Sequence, residues 1–337
     1  MKNFTWKSVM NHRNLIYGFA AIWIMIYHIY LRYYWPSIPV VSQVIRIGNM
    51  GVDIFVFLSA IGLSFSIEKN TTKEFYINRI KRVFVPFIMI ALPFYIWDSI
   101  ALYGLSAKAF VEFLLNITTV SFWCREGAPA WYMAFVLVIY AFFPLLYKLK
   151  KKHKYILVLL IVLSIAMELL LKFIESPVYI FGERVLSRIP IFLVGMLIAD
   201  YVKEQRKVSK LFAAVVILVA VAGFVVIYLY NIDVVLTRYL YGFMSLAVVL
   251  VLGFIAHKIQ NTSVSKPIIK SLSFCGVISL EIYLIHTFML RFIGFYNLLY
   301  LTYNALYYVM VSALSIALAV LVNKIATYII KPKKANI

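Results

Sequence analysis

The chain is written as apolar runs of about twenty residues separated by short basic clusters, and that alternation confines it to a lipid environment. A hydrocarbon core of about 30 Å takes roughly 20 residues of α-helix at about 1.5 Å per residue. Runs of this kind lie near 14–34, 50–68, 83–101, 129–147, 155–172, 189–202, 211–231, 237–256, 272–293 and 303–328, the sixth being short. The expected fold is all-α, a polytopic transmembrane bundle of about ten spans forming a single integral membrane domain over residues 1–337. With 64% of residues hydrophobic and 14% charged, the chain has too little polar surface to cover a water-soluble core. The 17% aromatic content suits the two interfacial belts of a bilayer.

In a soluble domain a net charge of +20 would suggest nucleic acid. Here the 33 lysines and arginines gather between the apolar runs, most densely at Lys148–Lys154 (KLKKKHK), and read as topology signals. Placing the N-terminus inside puts most of them on the cytoplasmic face, so both termini are expected to be cytoplasmic. The expected location is the cell membrane, with lipid and not nucleic acid as the surroundings. Leu15–Leu31 lacks a small-residue cleavage site, so the first helix is expected to stay attached. Cys124 and Cys275 have no ligand spacing, and neither a metal nor a disulfide framework is expected. Within 102–128, AFVEFLLNITTVSFW is too short to span but apolar enough to lie in the interface.

Ionisable groups at membrane depth are costly and mark candidate sites. His28 lies roughly 21 Å from the inner end of the first run by helical rise. Asp53 is in the first turn of the second, and Asp98, Glu168 and His286 are near the outer ends of theirs. Trp131 and Tyr132 open the fourth run, Arg188 precedes the sixth and Arg238 starts the eighth, all toward the same side. A carboxylate that orients an imidazole makes it a general base, which nominates His28 and Asp53 as a catalytic pair. A histidine satisfied by a neighbouring carbonyl remains the alternative. Glu281 and His286 are five residues apart, about 140° around a helix, and are not expected to share a face. On the inner side FYINRIKRVFVP (75–86) sets Arg79 and Arg82 three apart, a spacing that puts two guanidinium forks on one helical face for a phosphate. Simple anchoring at the membrane surface is the other reading.

These segments resemble membrane acyltransferase family 3, integral membrane enzymes that acylate cell-surface sugars and related acceptors. YGFAAIWIMIYH (17–28) is similar to the family's first-helix motif ending in His, and GVDIFVFLSAIGLSFS (51–66) to its second-helix GVD-FF-LSG pattern. NRIKRVFVP (78–86) resembles its paired-arginine element, and APAWYMAFVLVIYAFFP (128–144) its Trp-Tyr/Phe-Leu/Ile helix. RIPIFLVG (188–195) and SLEIYLIH (279–286) complete the order. Tyr17 stands where the family usually has Arg or Lys, and Ala60 where it has Gly.

The resemblance implies that His28 is the catalytic histidine, that Arg79 and Arg82 bind acyl-CoA, and that Glu281 and His286 lie in the terminal motif. Trp131, Tyr132 and Arg188 are expected to support the site or contact substrate. The expected reaction moves an acyl group, acetyl first among candidates, from cytoplasmic acyl-CoA to a hydroxyl of a cell-surface or exported polysaccharide or lipid-linked glycan. No permanently bound cofactor is expected. A multi-pass transporter or flippase for a glycan-related or small polar substrate is the rival reading, because buried carboxylates and histidines also line proton and substrate paths.

Overall fold

A computed structural model describes residues 4–32, 38–124, 131–230, 232–296 and 304–330. Among these residues the chain is predominantly helical, without strands. The N-terminal half runs α1 (Trp6–Asn11), α2 (Arg13–Tyr30), α3 (Pro39–Arg46), α4 (Gly51–Lys69), α5 (Thr72–Arg79), α6 (Val85–Tyr103), α7 (Ala107–Ile117), α8 (Val120–Cys124) and α9 (Trp131–Lys152). The remainder is α10 (Tyr155–Phe173), α11 (Pro177–Leu186), α12 (Ile189–Lys203), α13 (Lys210–Leu229), α14 (Val234–Ile259), α15 (Ser265–Val277), α16 (Ser279–Phe295) and α17 (Asn304–Ile330). Each of the ten apolar runs coincides with one of these helices or, for 272–293, with a pair. The C-terminal end of the first run, the start of the last, and the Ala128–Ala130 start of the Trp131 motif lie outside the described residues.

Eight helices among the described residues are long and apolar enough to cross a membrane, and nine if α15 and α16 count as one broken span. α2 is not among them, because Arg13, Asn14 and His28 fall within its 18 residues and lower its mean hydropathy. The run at 272–293 is interrupted at Ile278, whose φ of −104° and ψ of 21° leave the helical region. The amphipathic pattern at 109–123 becomes α7 and α8, and α7 leaves Phe110, Val111 and Leu114 exposed as an interfacial helix would.

The chain forms two compact units. The first gathers Met1–Tyr27, Pro36–Lys69 and Phe142–Val277; the second gathers His28–Trp35, Asn70–Ala141 and Ile278–Ile337.

In the first unit α4 is the central helix. It is apolar around its circumference, as suits a helix enclosed by others, and most of its residues are buried. Its closest neighbour is α12: a Cβ on Gly195 would stand 2.5 Å from the Phe57 carbonyl oxygen. α2 and α15 approach as closely, because a Cβ on Gly18 would lie 1.8 Å from the Leu272 carbonyl oxygen and one on Gly276 1.8 Å from that of Asn14. Lipid offers no hydrophobic drive for helices to associate, so small residues that bring backbones into van der Waals contact supply the attraction. α1 is tied down by hydrogen bonds from the Trp6 amide to the Arg206 carbonyl and from the Val208 amide to the Phe4 carbonyl, with Phe4, Trp6 and Val9 buried.

In the second unit α6, α16 and α17 pack on one another. α17 buries Tyr307, Val311, Ser315 and Ala319, spaced four apart on one stripe. Most of its remaining circumference is exposed, as for a helix facing lipid.

The two kinds of glycine give a test. Gly276→Ala must push apart two backbones and is expected to destabilise the solubilised protein by roughly 1–3 kcal/mol. Gly242→Ala, whose Cβ would meet nothing within 4 Å, should be neutral or slightly stabilising. Thermal melting of the two variants in the same detergent checks the difference; equal melting points would contradict the close α2–α15 contact.

Candidate active site

In the second unit His28 lies against His286. The His28 Nδ1 to His286 Nε2 distance is 2.8 Å, and the two rings stack with centroids 5.1 Å apart. The other nitrogen of His286, Nδ1, is 2.6 Å from the Ile282 carbonyl oxygen one turn back on α16. A carbonyl only accepts, so His286 Nδ1 carries the proton. In the neutral pair Nε2 of His286 must then accept, and His28 Nδ1 donates to it. That assignment leaves the lone pair of His28 on Nε2. The histidine that a carbonyl satisfies is His286, and His286 in turn fixes the tautomer of His28.

The aromatic residues nominated on α9 reach this pair through one intermediary. Tyr132 meets Tyr283 edge to face at 5.2 Å, and Tyr283 meets His286 at 5.8 Å. Trp131 packs edge-on against Tyr132. His286 is fully buried, and these rings hold it in place.

Glu281 begins α16 and is 4% exposed. It does not pair with His286, in keeping with their angular separation; its Oε1 accepts from Asn323 Nδ2 of α17 at 2.8 Å. Arg82 lies within electrostatic reach of Glu281. Arg82 belongs to a π-helical turn, Ile80–Phe84, that begins directly after Arg79. The α-helical spacing on which a shared face for Arg79 and Arg82 was expected does not hold across that junction. Arg79 instead lies over the Phe75 ring, 5.8 Å from its centroid, while Arg82 is exposed.

Asp53 and Arg188 are in the first unit. Asp53 is 3% exposed and Arg188 2%, and Arg188 Nε is 3.5 Å from Asp53 Oδ1. The guanidinium also donates from Nη1 to the Arg184 carbonyl at 2.9 Å. The carboxylate expected beside His28 is therefore held by an arginine, and the imidazole beside His28 is that of His286.

Two partners escaped the reading of the sequence. Arg291 of α16 forms a two-pronged ion pair with Asp98 of α6, at 2.7 and 3.1 Å. Asn323 holds Glu281. A lone arginine in the apolar C-terminal half of 279–295 was the available signal for Arg291; nothing local marks Asn323.

Both departures from the resembled family are in the first unit, at α4. The Tyr17 hydroxyl is 3.3 Å from Ser59 Oγ, and its ring packs 5.4 Å from Phe55. Ala60, beside Ser59, directs its Cβ at Gly195, whose missing side chain leaves room for it. The Arg13 guanidinium lies 4.0 Å from the position of a Cβ on Gly62, alongside the same helix.

Among protein-family models, the acyltransferase domain of family 3 matches residues 14–324. No curated protein and no solved structure matches the chain. The matched stretch is nearly the whole chain and contains the histidine pair, the arginines of the π-helical turn and the membrane helices of both units. The protein belongs to acyltransferase family 3 and is a membrane acyltransferase.

Proposed function

We propose that the protein transfers an acyl group, acetyl first among candidates, from cytoplasmic acyl-CoA to a hydroxyl of a cell-surface or exported glycan, with His28 as general base. The observation that carries this reading is the His28–His286 contact, because it leaves a basic nitrogen on a half-buried histidine in a family of acyltransferases. His28 Nε2 takes the proton of the acceptor hydroxyl as its oxygen attacks the thioester carbonyl. The C–O bond forms, the C–S bond breaks, and the proton passes from His28 to the departing thiolate, giving an ester and free CoA. His286 orients the ring and accepts from Nδ1 while His28 is charged, the role a carboxylate plays in a Ser-His-Asp triad.

The donor's phosphates dock at the exposed Arg82, since a guanidinium fork suits phosphate oxygens. Glu281 and His286 are five residues apart on α16, roughly 7.5 Å of helical rise, so a donor held near Arg82 extends its thioester along α16 toward the histidines. The distribution of the basic clusters supports a topology in which both termini and the Arg79–Arg82 turn are on the cytoplasmic side of the cell membrane.

Replacing His28 by Ala at matched membrane expression should remove acyl groups from surface glycans, with purified-enzyme turnover falling about 10²- to 10⁴-fold. Mass spectrometry of the glycans checks it, and unchanged acylation would sink the base assignment. His286→Ala should lower kcat at least tenfold with little change in either KM, and His286→Gln, which keeps an acceptor, should recover part of the loss. A pure rise in KM would assign His286 to binding instead. Arg82→Ala should raise the KM for acyl-CoA about fivefold or more, whereas the neighbouring Lys81→Ala leaves it within about twofold. Equal small effects would mean that the cluster only anchors the helix to the membrane surface.

A further inference from the structure

The first unit contains a buried polar cluster that the proton-transfer step does not use. Two ion pairs form its frame, Asp53 with Arg188 and Glu183 with Arg238. Glu168 of α10 lies within electrostatic reach of Glu183, Arg188 and Arg238, yet it is joined to neither arginine by an ion pair among the described residues. It is wholly excluded from the surface at 0% exposure. Its Oε2 accepts a hydrogen bond from the Tyr239 hydroxyl of α14, and its Oε1 is buried with no partner among the described residues. The Tyr179 hydroxyl of α11 is likewise buried without a partner, and it lies within electrostatic reach of Glu168, Glu183 and Arg238.

Two orphaned polar atoms of this kind are unusual, because buried carboxylates and phenols are normally satisfied. The charges around them restrict what could satisfy both. An anion would meet the carboxylates of Asp53, Glu168, Glu183 and Asp233, and a cation would meet the guanidinium groups of Arg188 and Arg238. A neutral group that both donates and accepts suits Glu168 Oε1 and Tyr179 together, and adjacent hydroxyls of a sugar have that chemistry. Tyr27, within electrostatic reach of Arg188 and Arg238, immediately precedes His28 in the chain.

We propose that Glu168, Tyr179 and Tyr239 form a hydroxyl-binding subsite for the sugar acceptor. This proposal rests on the acyl-transfer reading given above. Glu168 Oε1 accepts from one sugar hydroxyl, Tyr179 bonds a second, and Tyr239 holds the carboxylate in position. Discrimination follows from the same geometry, since an acceptor lacking one hydroxyl leaves a buried oxygen unpaired.

The test uses the full-length protein in lipid nanodiscs, acetyl-CoA, and the methyl glycosides of glucose, galactose and N-acetylglucosamine. Glu168→Gln and Tyr179→Phe should each raise the KM for the glycoside about tenfold while the KM for acetyl-CoA stays within twofold. Arg206→Gln, at the exposed Glu204 pair, is the control and should change neither. An unchanged glycoside KM in both variants means that water alone fills the cluster, and overturns the proposal. Parallel rises in both KM values with a lowered melting temperature mean a structural role, and also overturn it. If the unmodified protein acetylates none of the three glycosides, the acyl-transfer reading with these acceptors fails separately. The subsite is then judged by saturation-transfer NMR with the same glycosides: binding lost in Glu168→Gln upholds it, and no binding to unmodified protein overturns it.

Discussion

Lipid cannot absorb a buried charge, so an ionisable side chain at membrane depth must find its counterpart within the protein. The polar structure of both units follows from that constraint. Asp98 is neutralised by Arg291, Asp53 faces Arg188, Glu183 holds Arg238, and Glu281 is bonded by Asn323. Each bond joins different helices and so also fixes their rotation. The histidine pair obeys the same rule without charge, through a chain of bonds that ends on the Ile282 carbonyl of α16. The chemistry attributed to His28 depends on that last bond, since a carbonyl that can only accept leaves one proton arrangement for a neutral pair.

The positions of the membrane helices were legible because their cause is local: an apolar run of sufficient length becomes a helix in lipid. The expected depths of His28, Asp53 and His286 rest on counting residues along those runs. Partner choice was not legible, because depth says nothing about azimuth. His28 was matched with Asp53 on the grounds of chemistry and similar height, while the structure matches it with a residue 258 positions away. The pairing of Arg79 and Arg82 on one face failed for a different reason. It assumed an uninterrupted α-helix, and the π-helical turn from Ile80 changes the register between them. The break at Ile278 was hidden in the same way, since hydropathy passes smoothly across it.

Tyr17 and Ala60 are departures that occur together, and the structure gives each a local accommodation. Tyr17 replaces a cation by a phenol that bonds Ser59, and the residue after Ser59 is Ala60. Ala60 adds a methyl group to a tightly packed seam, and Gly195 opposite it has no side chain to obstruct it. The guanidinium of Arg13 lies farther along α4, near Gly62, so a positive charge is kept beside that helix although not at the family's usual position.

α16 carries Glu281, His286 and Arg291 at equal intervals of five residues, so each points about 140° around the axis from the one before. The three are taken up by three separate elements: Asn323 on α17, His28, and Asp98 on α6. A helix held along one stripe can roll about its axis and lose its contacts one at a time. A helix moored in three directions at three heights acts as a keyed shaft: any roll strains all three attachments at once. The imidazole at the middle mooring thereby inherits a stiffness that its own hydrogen bonds would not provide.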